Sequence, residues 1–199
     1  MTNTTNVKCK SCRLAGEKLF LKGPRCESEK CALSRRPKTT TKGHRGKSFH
    51  RVSEYGLQLR EKQKVKKIYS LSERQFRRYL TVAKGHKGSV GAALLSLIER
   101  RLDNVLYRIG WADSRLQARQ MVRQGKIFID NRRVKVSSYI LDTDKKLTTR
   151  LPLAPRELEM PDWLKANLKD KSARLLRLPG REDITENINE QLFLEFYSR

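Results

Sequence analysis

The spacing of apolar and polar residues predicts that most of the chain between residues 53 and 125 is helical. Residues Ser72–Gln75 have the composition of a capping box, in which a hydroxyl and an amide satisfy backbone groups at the start of a helix. We expect that helix to end at Gly85. A further apolar helix should begin at Ser89 and run through Ile98.

Two more helices are predicted between residues 101 and 125. The first buries one face, with apolar residues at positions i, i+3, i+4 and i+7, namely Leu102, Val105, Leu106 and Ile109. Residues Ser114–Gln117 form a second candidate capping box, which starts a helix that runs to Gly125. The core positions expected on that helix are Leu116, Ala118, Met121 and Val122.

After Gly125 the periodicity changes from that of a helix to that of a strand. Two β-rich runs, at 126–129 and 132–136, flank Asp130 and Asn131, and Asn tolerates the positive φ of a hairpin turn. The sequence therefore predicts a mainly α protein with a small β-sheet.

The C-terminal part of the chain gives weaker signals. Residues 143–162 contain three prolines and are expected to be irregular, and 163–178 predict a short amphipathic basic segment. The last segment, 189–199, is the most apolar end of the chain, so we expect it to pack back onto the body of the protein.

The charge of the chain indicates what kind of partner the protein binds. The chain has 45 Lys and Arg against 21 Asp and Glu, a formal net charge of +24. Self-repulsion of this size favours binding to a polyanion. Nucleic acid is favoured over a membrane, because the longest apolar stretch, Val90–Ile98, is too short to span a bilayer and the basic residues are spread along the chain. Residues Met1–Lys10 lack the apolar centre of a signal peptide, so a cytoplasmic location is expected.

The cysteines are confined to one segment near the N-terminus. Cys9 and Cys12 form one close pair, Cys26 and Cys31 another, and a loop of 13 residues separates the pairs. This spacing is typical of a closed four-thiolate structural metal site. Zinc is the first expectation, and an iron–sulfur cluster uses the same ligand set. Disulfides or free thiols are the alternatives, and both are weaker for an intracellular chain.

A basic stripe is predicted on the helix that follows Ser114. Arg115, Arg119 and Arg123 recur every four residues, which places them on one side of the helix. We expect them to face outward beside Arg101 and Asn104 and to bind RNA phosphates, because no acidic residue lies between Asp113 and Asp130.

The run Arg101-Leu102-Asp103-Asn104-Val105, with the helix and hairpin after it, resembles the S-four RNA-binding domain. The segments Tyr55–Lys64 and Ser72–Phe76, the four cysteines, Arg35-Arg36-Pro37 and the tail from Arg181 to Ser198 resemble the bacterial small-subunit ribosomal protein four family. The resemblance covers nearly the whole chain.

This resemblance implies a structural protein of the small ribosomal subunit. It implies binding to the junction in the 5′ domain of the small-subunit rRNA, nucleation of assembly, contact with ribosomal protein five and with mRNA where it enters the subunit, and a contribution to decoding accuracy. It also implies that the S-four domain is inserted into a helical body that the C-terminus completes. The predicted parts are a metal knuckle and basic linker at 1–45, the first part of the helical body at 46–98, the S-four domain at 99–162 and the returning C-terminal segment at 163–199.

The candidate RNA contacts are basic or amide side chains from the linker, the helical body and the S-four domain. They are Arg35, Arg36, Lys47, Arg60, Lys62, Lys64, Lys67, Arg74, Arg77, Arg78, Arg101, Asn104, Arg115, Arg119, Arg123 and Lys126.

The chain departs from the family pattern at three places. The usual Asn-Gly of the hairpin is Asp130-Asn131, and the Pro-Gly-rich segment of the linker is replaced by Thr39–Gly46. The segment 141–161 is shorter than usual, which predicts the loss of a helix after the hairpin.

Two other functional classes were weighed. An RNA-modifying or tRNA-charging enzyme would need a catalytic domain, and no nucleophile–base pair, phosphate-binding Gly loop or apolar carboxylate cluster is apparent beside the RNA-binding module. A zinc-bearing regulator would explain the cysteines and the charge, but the basic helical regions carry no DNA-reading motif. The sequence therefore predicts no enzyme and no small-molecule substrate.

Overall fold

The computed structural model describes residues 8–35, 53–152, 160–167 and 169–198. The chain divides into two compact units: Met1–Ile68 with Ile188–Arg199, and Tyr69–Asn187. One unit is thus made from both ends of the chain, and the other is a continuous insertion. The boundary between the compact units lies at Ile68, so the helices that precede the S-four module belong to the same compact unit as the module.

The first unit combines a small N-terminal knuckle with two longer helices. Helices α1 (Lys8–Ala15) and α2 (Ala32–Arg35) flank a 3-10 turn at Gly23–Cys26. Helix α3 (Glu54–Ile68) packs against α8 (Glu190–Ser198), as the apolar character of the tail predicts. Buried Val65 and Phe193 lie in this unit.

Polar contacts fix α8 on α3. The side-chain amide of Gln58 donates to Glu195 at 3.0 Å, and Glu61 accepts the backbone N–H of Asn189 at 2.8 Å. The second of these bonds satisfies an N–H that the start of a helix leaves without an intrahelical partner.

The second unit begins with four helices whose starts are read from the sequence. They are α4 (Glu73–Lys84), α5 (Val90–Glu99), α6 (Leu102–Arg108) and α7 (Arg115–Arg123). The capping box at Ser72 is confirmed, since Oγ accepts from the N–H of Gln75 and Gln75 Oε1 accepts from the N–H of Ser72, both at 3.2 Å. Ser114 also caps its helix, but the Gln117 side chain accepts from the N–H of Asp113 instead.

A five-stranded antiparallel sheet completes the second unit. Its strands are β1 (Ile127–Ile129), β2 (Arg132–Val134), β3 (Lys146–Thr149), β4 (Leu164–Asn167) and β5 (Ser172–Leu175), in the order β2-β1-β3-β5-β4. The predicted hairpin joins β1 and β2, and Asp130 and Asn131 have φ of 47° and 64°. Both central residues of a tight hairpin turn need positive φ, which explains why Asp-Asn can replace Asn-Gly here.

One face of the sheet packs on α6 and α7. Its inward residues include Ile127, Leu147 and Leu175, and Trp163 is fully buried in the same core. Ala118, Met121 and Val122 are buried as predicted, whereas Leu116 is only half-buried.

The region after residue 163 differs from the prediction. Residues 164–175, expected within a returning C-terminal segment, form β4 and β5 of the sheet, and only the last part of the chain packs on α3. Each strand has only four residues, and its outward positions combine one basic residue with Asn167 in β4 or Ser172 in β5, so the period of two is too short to recognise in the sequence. In the described parts of 141–161 there is no helix.

Replacing Ser72 with Ala should lower the free energy of unfolding by about 1 kcal/mol. The N–H of Gln75 would lose its acceptor, the Ser72 hydroxyl at 3.2 Å. Urea unfolding followed by circular dichroism measures the change. The matched control, Ser72→Asn, keeps a side-chain acceptor and should stay within about 0.5 kcal/mol of the parent; equal losses for both variants would contradict the cap.

Candidate nucleic-acid interface

The carboxylate of Asp103, in the first turn of α6, is 2% exposed and binds two guanidinium groups. Arg101 reaches it through Nε and Nη2 at 3.0 and 2.8 Å, and Arg119 of α7 through Nη2 at 2.7 Å. Arg119 also donates to the carbonyl of Ser70 at 3.0 Å, and Arg101 to the hydroxyl of Tyr79 at 2.7 Å. Asp103 therefore connects α6, α7, α4 and the segment before α4.

Glu99, at the end of α5, and Glu186, after the last strand, form a second buried cluster. Arg108 donates to Glu99 through Nε and Nη2 at 2.9 and 2.8 Å, and to Glu186 at 2.5 Å. Arg115 donates to Glu186 at 2.5 Å and to the side-chain oxygen of Asn104 at 2.7 Å. The amide of Asn104 donates in turn to Glu99 at 2.7 Å, which closes the cluster.

The charges in this cluster fix its protonation. Burial by itself would raise the pKa of Glu186, but the charges and hydrogen bonds of Arg115 and Arg108 lower it to about 2. Burial, reinforced by Glu99 and Glu186, raises the pKa of Tyr69 well above its usual value. Tyr69 therefore keeps its proton and donates it to Glu99 at 2.6 Å.

The prediction that the basic stripe faces outward is wrong for most of its members. We predicted that Arg101, Asn104 and Arg115 would lie on that surface, but their exposed fractions are 1%, 1% and 6%, respectively. Their partners come from elsewhere in the chain; Glu186 lies 71 residues after Arg115. Arg119 is partly buried against Asp103, and Arg123 is exposed. Most of the stripe is therefore occupied by carboxylates of the protein itself.

The basic residues of α3 also have contacts within the protein. Lys62, predicted to contact RNA, is 5% exposed, and its Nζ lies 3.9 Å from the centre of the Phe196 ring. Lys64 pairs with Glu61 at 2.7 Å and with Glu17 at 3.1 Å. An outward-facing role is therefore wrong for Lys62, because its ammonium is held by an aromatic ring by a cation–π interaction.

The remaining candidates divide by exposure. Lys67 is half-buried. The exposed ones are Arg35, Arg60, Arg74, Arg77, Arg78, Arg123 and Lys126. Arg36 and Lys47 lie outside the described residues.

One exposed group lies on α4. Arg74, Arg77 and Arg78 recur at i, i+3 and i+4 and so share one side of the helix. Arg77 pairs with Glu73 at 3.4 Å. Arg78 also lines a depression of about 260 Å³ together with Tyr79, Val82, Ser138 and Ile140. We call Arg74, Arg77 and Arg78 the α4 patch.

A second exposed group surrounds the turn between α7 and β1. Gly125 has φ of +68°, and a Cβ there would lie 2.9 Å from Cδ of Arg133 and 3.4 Å from Cε of Lys135. These two side chains therefore cross the turn beside Arg123 and Lys126, and we call the four residues the α7–β1 patch. Arg133 and Lys135 were not among the predicted contacts. The alternation within 132–136 would have placed them on one face of the hairpin.

The four cysteines lie in the N-terminal knuckle and form no disulfide. Burial raises the pKa of the Cys12 thiol, and so do the nearby Cys26, Cys9 and Cys31. Backbone hydrogen bonds from Ser34, the largest effect, lower the pKa of Cys31.

The knuckle provides a hydrogen bond that stabilises a cysteine thiolate, but its cysteines are not arranged around a common metal position. The backbone N–H of Lys22 donates to Sγ of Cys26 at 3.3 Å, a contact that stabilises a thiolate. Among the described residues, no three Cys, His, Asp or Glu side chains meet closely enough to hold a metal ion. The donor set thus has the chemistry of a four-thiolate site, without its coordination geometry.

Glu186 makes the stability of the second unit depend on pH. Its folded pKa of about 2 lies below the ordinary 4.5, so it stabilises the fold above about pH 4.5 and that contribution is lost as the pH falls toward 2. The shift corresponds to about 3 kcal/mol. Urea unfolding at pH 5, 4 and 3 should therefore show a steep loss in the parent and a smaller one in Glu186→Gln.

At pH 5, Glu186→Gln should itself be less stable than the parent by about 3 kcal/mol, because Arg115 and Arg108 stay buried beside a neutral amide. Glu182→Gln, an exposed carboxylate of the same segment, is the control and should change stability by less than about 0.5 kcal/mol. The same pH dependence in parent and Glu186→Gln would refute the assignment.

Two family models match the chain: the ribosomal protein S4/S9 N-terminal domain over residues 3–99 and the S4 domain over residues 100–146. The small ribosomal subunit protein uS4 of Dictyoglomus thermophilum is 45% identical over 208 aligned positions, covering 100% of both chains. That of Thermus thermophilus is 45% identical over 202 positions, covering 96% of each, and uS4A of Clostridium botulinum is 42% identical over 208, covering 100% of both. With its exposed basic patches and the inserted S4 module, the chain belongs to the uS4 family of small ribosomal subunit proteins.

Proposed function

We propose that this protein is a primary binder of the 5′ domain of small-subunit rRNA and nucleates subunit assembly there. Its family makes it a structural constituent of the small subunit and not an enzyme. The observation that carries the finer proposal is the presence of exposed guanidinium groups on the α4 and α7–β1 patches. Arg74, Arg78 and Arg123 have no carboxylate partner in the described part of the chain.

The division of arginines into buried and exposed groups is what identifies the interface. Arg101, Arg108 and Arg115 are neutralised by buried carboxylates and are not available to an external anion. Exposed Arg74, Arg78 and Arg123 have no carboxylate partner among the described residues, and a planar guanidinium can bind two phosphate oxygens at once. Folded RNA presents such oxygens along both strands, and its deep, narrow major groove is not accessible to side chains. We therefore expect recognition of the shape of an RNA junction.

Three further proposals rest on the family resemblance. They are contact with ribosomal protein five, contact with mRNA where it enters the subunit, and a contribution to decoding accuracy. The location proposed is the ribosome of the cytoplasm, in line with the bacterial relatives, in preference to an organelle. No helix among the described residues is long and apolar enough to cross a bilayer.

We also propose that Cys9, Cys12, Cys26 and Cys31 hold one structural zinc ion, with an iron–sulfur cluster as the less favoured occupant. The spacing of the pairs supports this, as do the backbone N–H groups that donate to the sulfur atoms. Bound zinc would cross-link the two halves of the knuckle, because four thiolates leave no open position for a substrate.

RNA binding is tested by removing charge from exposed positions. The triple variant Arg74→Gln, Arg78→Gln and Arg123→Gln should reduce the slope of log affinity against log salt by about 2 to 3, because each phosphate contact contributes about 0.9. The measurement is filter binding to a 5′-domain rRNA fragment over a salt series. Thermal unfolding of the free protein should not change, because these side chains are exposed.

The control carries the same loss of charge in the knuckle, at exposed Lys10, Lys22 and Lys30, each changed to Gln. Its salt slope should stay within about 0.5 of the parent. Equal slopes for both triple variants, or no binding of the parent to the 5′-domain fragment, would overturn the proposal.

The zinc proposal predicts about one zinc per chain by elemental analysis of protein prepared without chelator. The double variant Cys12→Ser and Cys31→Ser should bind none, while the unit Tyr69–Asn187 keeps its unfolding transition, because that unit contains no cysteine. Ser28→Ala, in the same knuckle, is the control and should keep its zinc. Iron with acid-labile sulfide would reassign the site, and the absence of any metal in the parent would refute it.

A further inference from the structure

The sheet of the second unit has a second face, opposite the core. In β3 and β5 every other residue is buried: Leu147 and Thr149 alternate with Lys146 and Thr148, and Ala173 and Leu175 with Ser172 and Arg174. In β4, Leu164 is buried and Lys165 is exposed. The exposed members of the three strands therefore share the outer face.

Three cations lie in one row across that face. The register pairs Lys146 of β3 with Arg174 of β5, and Arg174 with Lys165 of β4. Neighbouring strands are about 4.8 Å apart, so the backbone positions of the three basic residues span about 10 Å. Like charges directly opposite each other destabilise a sheet, and here the arrangement occurs twice.

Within the described residues this row has no ion-pair partner, and the nearby carboxylate of Asp130 accepts the backbone N–H of Lys146 at 3.0 Å. The three cations line a shallow depression of about 490 Å³ with Thr143, Asp144, Lys145, Asn167, Ser172 and Ala173. Asp144 is the one carboxylate among these lining residues, and it lies in the turn before β3, whereas Lys145 pairs with Asp130 at 3.1 Å. The depression is therefore lined by four basic residues and one carboxylate.

The residues beside this row add hydroxyl groups and further cations to the outer face. Thr148 and Ser172, which the register pairs, place hydroxyl groups on the neighbouring row of the outer face. Phe128 continues that row, with the guanidinium groups of Arg150 and Arg133 at 4.8 and 5.8 Å from its ring centre. Cations alternating with hydroxyl groups over an open surface match the charge and the acceptors of a phosphodiester backbone.

We propose that this outer face, centred on Lys146, Arg174 and Lys165, is a further RNA-binding surface that is distinct from the α4 patch and adjoins the α7–β1 patch at Arg133, and that it binds the phosphates of an rRNA segment. The proposal rests on the proposed function in taking the partner to be RNA, but it does not depend on which rRNA domain supplies it. The bound phosphates offset the repulsion that the row would otherwise impose on the sheet, so the charges that weaken the free protein strengthen the complex.

The first test uses the unmodified protein. Lysine acetylation followed by mass spectrometry should show Lys146 and Lys165 reactive in the free protein and protected at least severalfold when full-length small-subunit rRNA is bound. Equal reactivity with and without the RNA would overturn the proposal. Because the RNA is the complete molecule, protection with no binding to the 5′-domain fragment would reject the proposed domain and keep this surface. Binding to that fragment without protection on the complete rRNA would do the reverse.

The second test uses the triple variant Lys146→Gln, Lys165→Gln and Arg174→Gln. The slope of log affinity against log salt for full-length rRNA should fall by about 2 to 3, while the knuckle control at Lys10, Lys22 and Lys30 keeps the parent slope. At low salt the free variant should unfold at the same temperature as the parent or a higher one, because the like-charge neighbours are removed. An unchanged slope, or a lowered unfolding temperature that reveals an internal partner, would refute the surface.

Discussion

The second unit depends on one constraint: the buried carboxylates of Asp103 and Glu99 and the half-buried carboxylate of Glu186 must each be paired with arginines. Burying an ion costs several kcal/mol, and the cost is recovered only where the partner is close and every hydrogen-bonding site is filled. Asp103 meets this condition with Arg101 and Arg119, and Glu99 and Glu186 meet it with Arg108 and Arg115. The helices around the core are therefore held by ion pairs as well as by apolar contacts.

The same constraint divides the basic residues into those that pair with carboxylates inside the protein and those that remain exposed for binding RNA. The 45 basic residues outnumber the 21 acidic ones by more than two to one, so the protein's own carboxylates neutralise only part of the positive charge. Glu99 and Asp103 are buried and Glu186 is half-buried, and all three fix the orientation of particular arginines. The exposed patches and the outer face of the sheet then carry excess positive charge on helices and strands, so that the spacing of cations is set before RNA is bound.

Local signals in the sequence predicted local structure well. The caps at Ser72 and Ser114 and the turn at Asp130-Asn131 depend only on neighbouring residues, and the family resemblance is confirmed. The burial of Arg115 could not be predicted in this way. Helical spacing shows that Arg115 and Arg119 lie on the same side of α7, but not which residues pack against that side. The partner of Arg115, Glu186, is 71 residues away, and β4 and β5 were hidden because their alternation covers only four residues each.

The position of Glu186 in the chain has a consequence for biosynthesis. Chains emerge from the ribosome N-terminus first, and domains tend to fold as they emerge. Here Arg108 and Arg115 emerge more than seventy residues before their partner, and α3 emerges more than a hundred residues before α8. Neither unit can be completed during most of elongation, so the nascent chain is a long polycation with incomplete cores. The contacts that complete both units can form only after the segment 186–198 has left the exit tunnel.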